Sequence, residues 1–255
     1  MDVLRVEHIN KVFNPQHKQK RHCVIKDLSL TVRENELVCL LGPSGCGKTT
    51  LLTMIAGFQR PTGGAIYLKE KKVEGPGVDR GFVFQGYALF PWMTVEENIL
   101  YPLKVRNASK EVMEERLDQF LTMSHLKGSE KKYPKELSGG MKQRTAVMRC
   151  LAGEPEILLL DEPLSAIDFQ LRQIMQEELS QLLMEAHTTV VMVTHDVEEA
   201  IYLSDRVVVM TPNEGEIIAD YRIDLPRPRD RKNPLYLEMK ETLANYLAQA
   251  FNKIK

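Results

Sequence analysis

The sequence predicts an α/β fold with a parallel sheet. Three observations carry that reading. Short apolar runs of strand length alternate with amphipathic helical stretches. The most apolar of those runs end in polar residues, as buried parallel strands do at their carboxyl edge. One strand-to-helix junction reads Gly42-Pro43-Ser44-Gly45-Cys46-Gly47-Lys48-Thr49-Thr50, which fits G-x-x-x-x-G-K-[ST], the phosphate-binding P-loop.

The elements follow in chain order. Leu4 to Glu7 and Leu28 to Val32 alternate in character and read as half-buried strands. Between them Asn14 to His22 is a polar, basic loop, open to two readings: a solvated turn, or a contact for nucleic acid or lipid. Phe13, at the end of the first strand, is either core or a platform for a flat base. Glu36 to Leu41 is a buried strand, and Leu51, Leu52 and Ile55 continue it past the loop at helical spacing. In that loop the glycines let successive N–H groups converge on an anion, and the helix adds its positive end. Lys48 can reach the outer phosphates and the Thr49 hydroxyl can ligate Mg²⁺. Cys46 lies beside the same helix end, a setting that favours the thiolate.

Ala65 to Leu68 and Gly81 to Gln85 are further strands, the latter ending in an amide. Tyr87 to Tyr101 carries much apolar and aromatic surface, including the one Trp of the chain, and reads either as core or as a partner-facing pocket. Ser109 is placed to cap a helix. Leu137-Ser138-Gly139-Gly140-Met-Lys-Gln-Arg144 opens another, either as a plain capped start or as a second anion-binding end. Ile157 to Leu160 is an apolar strand with Asp161 and Glu162 at its exit; an amphipathic helix then runs through Leu171 to Leu183. Val190 to Val193 ends in Thr194-His195-Asp196; Val207 to Met210 and Glu216 to Ala219 follow, and a last helix spans Leu237 to Phe251.

Gln85, Asp161, Glu162 and His195 thus all fall at strand exits, where ligands of open α/β sheets bind. Asp161 after four apolar residues is the Walker-B pattern, a carboxylate for Mg²⁺, reached through water because that ion dehydrates reluctantly. Glu162 can take the proton of an attacking water. Gln85 can ligate the metal or orient that water, and His195 can donate to a terminal phosphate.

A formal net charge of −1 gives no pull toward nucleic acid or anionic lipid. Cys23, Cys39, Cys46 and Cys150 lack metal or disulfide spacing and suit a reducing, cytosolic compartment. Neither a signal sequence nor an apolar run of bilayer length is expected.

The P-loop, Gln85, Leu137–Arg144, Ile157–Glu162, Ser165-Ala-Ile-Asp168 and His195 occur in the order found in ABC-transporter ATPase subunits, and nearly the whole chain resembles them. The resemblance implies a P-loop ABC-type fold: a mixed, largely parallel sheet core, an antiparallel β subdomain and a helical signature subdomain at about 86–152. It implies one domain over residues 1–255, without a separate regulatory domain. It makes Phe13 the adenine-stacking aromatic, and Ser138, Gly139, Gly140 and Asp168 contacts to a nucleotide. The implied partners are ATP with Mg²⁺, a second ATPase subunit (a second copy of the chain) in a head-to-tail dimer, transmembrane permease subunits and, indirectly, a solute-binding protein. No nucleic acid is expected. The implied location is the cytoplasmic face of a bacterial inner membrane, peripherally held.

Gly75-Pro-Gly, Arg80-Gly, Phe90-Pro-Trp-Met-Thr-Val and Leu225-Pro-Arg-Pro-Arg are similar to the nitrate, sulfonate and taurine importer group. Two other readings stand beside an importer. A soluble ABC-type ATPase of repair or translation usually fuses two cassettes or inserts a long coiled coil, and neither feature is present. A non-hydrolysing nucleotide-binding regulator predicts loss of Glu162 or His195, and both are present.

Overall fold

The structure is a computed structural model that describes residues 1–14, 22–165, 169–212 and 214–252. It divides into two compact units, Met1–Gly77 with Thr188–Lys255, and Val78–His187.

The first unit begins with two long strands, β1 (Asp2–Phe13) and β2 (His22–Arg33), paired antiparallel. β4 (Gly63–Leu68) pairs with the other edge of β1, and β5 (Lys71–Lys72) closes a four-stranded antiparallel sheet. Alternation buries Leu4 and Val6 on β1 and Leu28, Leu30 and Val32 on β2. Irregular pairing interrupts it between Val6 and Ile9 and between Ile25 and Leu28, and Ile9 and Ile25 are also buried. The unit's other strands are β3 (Leu37–Leu41), β8 (Val190–Thr194), β9 (Arg206–Met210) and β10 (Ile217–Arg222). β3 lies between β8 and β9 and runs parallel to both, while β10 is antiparallel to β9. Every residue of β3 and β8 is buried, which explains their continuous apolar text.

Register places function at one edge. Leu41 pairs with Thr194, so the P-loop and His195 leave neighbouring strands at the same level. Helix α1 (Lys48–Ile55) follows the loop and buries Leu51, Leu52, Met54 and Ile55. Helix α6 (Val197–Leu203) follows His195, and α7 (Pro234–Asn252) ends the unit.

The second unit holds the parallel pair β6 (Arg80–Val83) and β7 (Ile157–Asp161), with Val83 opposite Leu160. Gln85 and Glu162 therefore emerge two residues beyond adjacent strand positions. The unit's helices are α2 (Val95–Val105), α3 (Lys110–Met123), α4 (Gly139–Ala152) and α5 (Phe169–Glu185), of which α4 packs on β6 and on α2. Ser109 caps α3 by accepting from the Val112 N–H, as its position in the sequence predicts. Helix α2 was less legible. It starts at Thr94 with a capping box closed by Glu97, and contains Pro102.

Backbone proximity fixes some residues outright. Gly57 ends the P-loop helix at φ 81°, and a Cβ there would lie 2.1 Å from the Gly75 carbonyl oxygen. Gly57→Ala should lower stability by about 2 kcal/mol or more, a fall of about 4–8 °C in Tm. Gly75→Ala, with nothing within 4 Å of its Cβ, should melt near the wild-type temperature. Equal melting of the two variants by calorimetry would contradict this packing.

Candidate nucleotide site

The P-loop is curled by its glycines and closed by its own lysine. Gly45 and Gly47 take φ 82° and 96°, a region that strains any residue with a Cβ. At Gly42 a Cβ would lie 2.5 Å from the Met210 carbonyl oxygen and 2.8 Å from Cys46 Sγ, so that strand exit admits only glycine. Lys48 is buried, and its ammonium donates to the carbonyl oxygens of Gly42 at 2.7 Å and Pro43 at 3.0 Å. A buried cation is costly without partners, and these carbonyls supply them from inside the loop. Ser44, Gly45 and Thr49 are exposed, while Thr50 is half-buried. The arrangement fits a polyphosphate: a concave run of backbone, a lysine at its centre and a helix N-terminus behind it.

His195 is exposed at the exit of β8. Asp196, next to it, caps α6 by accepting from the Glu199 N–H at 3.2 Å. Phe13 is 38% exposed, with the Lys11 ammonium 5.0 Å from its ring centre. It is a surface ring at the end of β1, available for stacking.

In the second unit the structure brings Gln85, Glu162 and Ser165 together. Gln85 Nε2 donates to Glu162 Oε2 at 3.4 Å and to Ser165 Oγ at 3.1 Å. Ser165 Oγ in turn donates to the Glu162 carbonyl oxygen at 3.0 Å. Glu162 itself sits at φ 46°, an uncommon region for a residue with a side chain. Such outliers persist where surrounding structure holds them, often at functional sites. Asp161 is the last residue of β7, and Glu162 is the first residue beyond it. Ser165 opens the Ser165–Asp168 motif quoted above, but sequence reasoning gave it no site role of its own.

Ser138 is the N-cap of α4, with Oγ accepting from the Met141 N–H at 3.3 Å. Ser138 and Gly139 are exposed and Gly140 is half-buried, its Cα backing onto Met175. Asp168 and the basic stretch 15–21 lie outside the described residues. At the other end of α4, Arg149 donates to the carbonyl oxygens of Ala88 at 2.8 Å and Tyr87 at 3.2 Å, residues with φ 47° and 62°. Asn98, fully buried, accepts from the Phe90 N–H and donates to Thr94 O. These two side chains shape the segment after Gln85, and no spacing rule points to them.

That segment resolves one open reading. Trp92 is 69% exposed, and Phe90 packs on both Trp92 and Tyr101, with ring centres 5.7 and 4.7 Å apart. Below the rings is an apolar pocket of about 320 Å³ lined by Phe82, Phe90, Tyr101, Pro102, Arg149 and Cys150. Trp92 is therefore surface and not core.

A strand, a P-loop closed on its lysine and a following helix define the chain as a P-loop nucleotide-binding protein. The comparisons with known proteins narrow the class. The ABC transporter family model matches residues 25–165, and the chain belongs to that family as an ATP-hydrolysing, ATP-binding subunit of a transporter. It is 47% identical over 244 residues to an uncharacterised ABC transporter ATP-binding protein of Methanocaldococcus jannaschii, covering 96% of this chain and 91% of the relative. It is 42% identical over 218 residues to the aliphatic sulfonates import ATP-binding protein SsuB of Bacillus licheniformis, covering 86% and 84%. It is 43% identical over 258 residues to the nitrate import ATP-binding protein NrtC of Synechococcus elongatus, covering 96% of this chain and 38% of the relative. Among solved structures, the ATP-binding cassette MJ0796, dimeric in a post-hydrolysis state with ADP and Pi, matches with TM-score 0.73 and 30% identity. That match covers 86% of this chain and 98% of the other.

One expectation is corrected. The helix end and Lys48 do favour a Cys46 thiolate, but Cys46 is 1% exposed, and burial outweighs them, pushing its pKa up. Because the raised pKa keeps the thiol protonated at neutral pH, iodoacetamide should modify Cys46 slowly there. Its rate should go on climbing past the pH at which a free thiol levels off. A rate at Cys46 that levels off near neutral pH, measured by peptide mass spectrometry, would contradict this.

Proposed function

We propose that the chain is the energy-coupling subunit of an importer for a small anion such as nitrate, an alkylsulfonate or taurine. The observation that carries the catalytic part is the Gln85–Glu162–Ser165 cluster, in which a carboxylate in a strained backbone position is gripped by an amide. The P-loop backbone and Lys48 hold the β- and γ-phosphates, and Ser44, Gly45 and Thr50 line the same cradle. Phe13 stacks on the adenine. Gln85 orients a water, and Glu162 takes its proton as the water oxygen bonds to the γ-phosphorus. The bond from that phosphorus to the bridging oxygen breaks, leaving ADP and phosphate. His195 donates to the γ-phosphate and so senses its presence.

The hydroxyl of Thr49, the amide oxygen of Gln85 and the carboxylate of Asp161 are hard donors suited to Mg²⁺. Among the described residues there is no group of three or more His, Cys, Asp or Glu that could hold a metal. Mg²⁺ there would neutralise charge on the phosphates.

Ser138, Gly139 and Gly140 form a second anion-binding helix end, and Asp168 follows the Glu162 turn. In this reading they serve the nucleotide of a second copy, in a head-to-tail dimer that ATP closes and hydrolysis reopens. Phe90, Trp92 and Tyr101 receive a transmembrane permease subunit. Among the described residues no helix is long and apolar enough to cross a membrane. In this reading the chain attaches peripherally at a cytoplasmic membrane face. The sulfonate and nitrate relatives support a small-anion solute, delivered by a solute-binding protein.

Glu162→Gln keeps the shape and removes the base. Steady-state hydrolysis should fall about 10²–10⁴-fold while ATP affinity stays near wild type. Near-normal turnover in this variant would move the base to another residue.

A further inference from the structure

The helix that follows His195 is gripped from outside the nucleotide motifs. At the exit of β8, Thr194 Oγ1 donates to the buried Glu199 carboxylate at 2.5 Å and accepts from the Asp196 N–H at 3.1 Å. The residues on both sides of His195 are therefore tied to the first turn of α6. The position of that turn sets where the imidazole sits.

The position of α6 is in turn fixed by the C-terminal segment. Glu198, also in the first turn, accepts from the Tyr236 hydroxyl at 2.7 Å and pairs through its other oxygen with Lys240. Tyr236 is fully buried. At the far end of α6, Arg229 donates to the Ile201 carbonyl, and Arg227 donates to the Leu203 carbonyl and pairs with Asp205. Asp205 also accepts from the Leu37 N–H at 2.9 Å, at the start of the strand that delivers the P-loop. Arg231 lies 3.9 Å above the Tyr202 ring.

This is a costly way to hold a short helix. Burial pushes the Arg229 pKa down to about 10 and the Tyr236 phenol upward. Well-packed apolar side chains often match or exceed such buried polar groups in stability, whereas directional bonds fix one arrangement. The Leu225-Pro-Arg-Pro-Arg run and α7 thus have a use for this network if one placement of α6 matters.

We propose that the Arg227–Lys240 segment positions His195, with Tyr236 acting through Glu198 as a positioning residue for ATP hydrolysis. The inference rests on the reading of His195 as the γ-phosphate sensor. It adds that His195 is set by a part of the chain outside every nucleotide motif. Displacing α7 would relax α6 and withdraw the imidazole from the phosphate, slowing turnover and leaving the P-loop intact.

The test uses the full chain with Tyr236→Phe, which keeps the buried ring and deletes the hydroxyl. Lys240→Met serves as a second variant, since it removes the ion pair at a half-exposed position. ATPase kcat should fall roughly 10- to 100-fold with Tyr236→Phe, as misplacement of a reacting-group contact does. KM for ATP should stay within about twofold, because the P-loop contacts are unchanged. Hydrogen exchange should quicken at residues 196–200 and stay slow in β3. Wild-type kcat in Tyr236→Phe would overturn the proposal, and so would parallel losses of kcat, KM and β3 protection, which mark general destabilisation. His195→Ala separates the two readings. If that variant keeps wild-type turnover, the sensor role of His195 fails. A slow Tyr236→Phe beside it would then mean that Tyr236 does not act through the histidine.

Discussion

The buried ammonium of Lys48 is the interaction on which the rest of the first unit depends. It sits inside a loop whose carbonyl oxygens at Gly42 and Pro43 take its protons, so the chain must curl back on itself. That curl needs glycine at φ 82° and 96°, and a position beside Met210 where no side chain fits. It needs a strand buried along its whole length to deliver the loop at a fixed height, which β3 supplies. The neighbouring β8 ends at the same level, so His195 leaves its strand at the height of the P-loop.

The second unit meets a different constraint, the aiming of a carboxylate. Asp161 and Glu162 are adjacent, and a regular strand would point them to opposite faces. The positive φ at Glu162 breaks the strand there; Gln85 then holds the side chain, and Ser165 holds the backbone carbonyl. Each unit also carries a helix N-terminus that the proposed function assigns to an anion, α1 at Lys48 and α4 capped by Ser138. The proposed sharing of a nucleotide between two copies rests on that doubling.

The buried strands and the P-loop were legible in the sequence because each rests on a local rule: continuous apolar text, fixed glycine spacing, a cap residue before a helix. Strand-exit placement made Gln85, Asp161, Glu162 and His195 stand out for the same reason. What the text hid was long-range or competitive. Helix α2 has a capping box at Thr94 and Glu97, but the aromatic run before it masks the helical period. The state of Cys46 depends on burial against a helix end, and composition does not say which wins. The grip of Tyr236 on Glu198 joins residues far apart in the chain, and no motif spacing predicts such a pair. Nor does composition decide that Trp92 faces outward.

The shared site is the central claim, and mixing two inactive variants tests it directly. Lys48→Ala disables the P-loop and Ser138→Arg blocks the second anion end. If each site is complete within one chain, every site in the mixture carries a defect. If sites are shared, a mixed dimer places both defects in one site and leaves the other intact. ATP hydrolysis should reappear when the purified variants are combined, together with ATP-dependent dimers in a Glu162→Gln background. No recovery of activity, with an ATP-bound protein that stays monomeric at high concentration, would contradict the account.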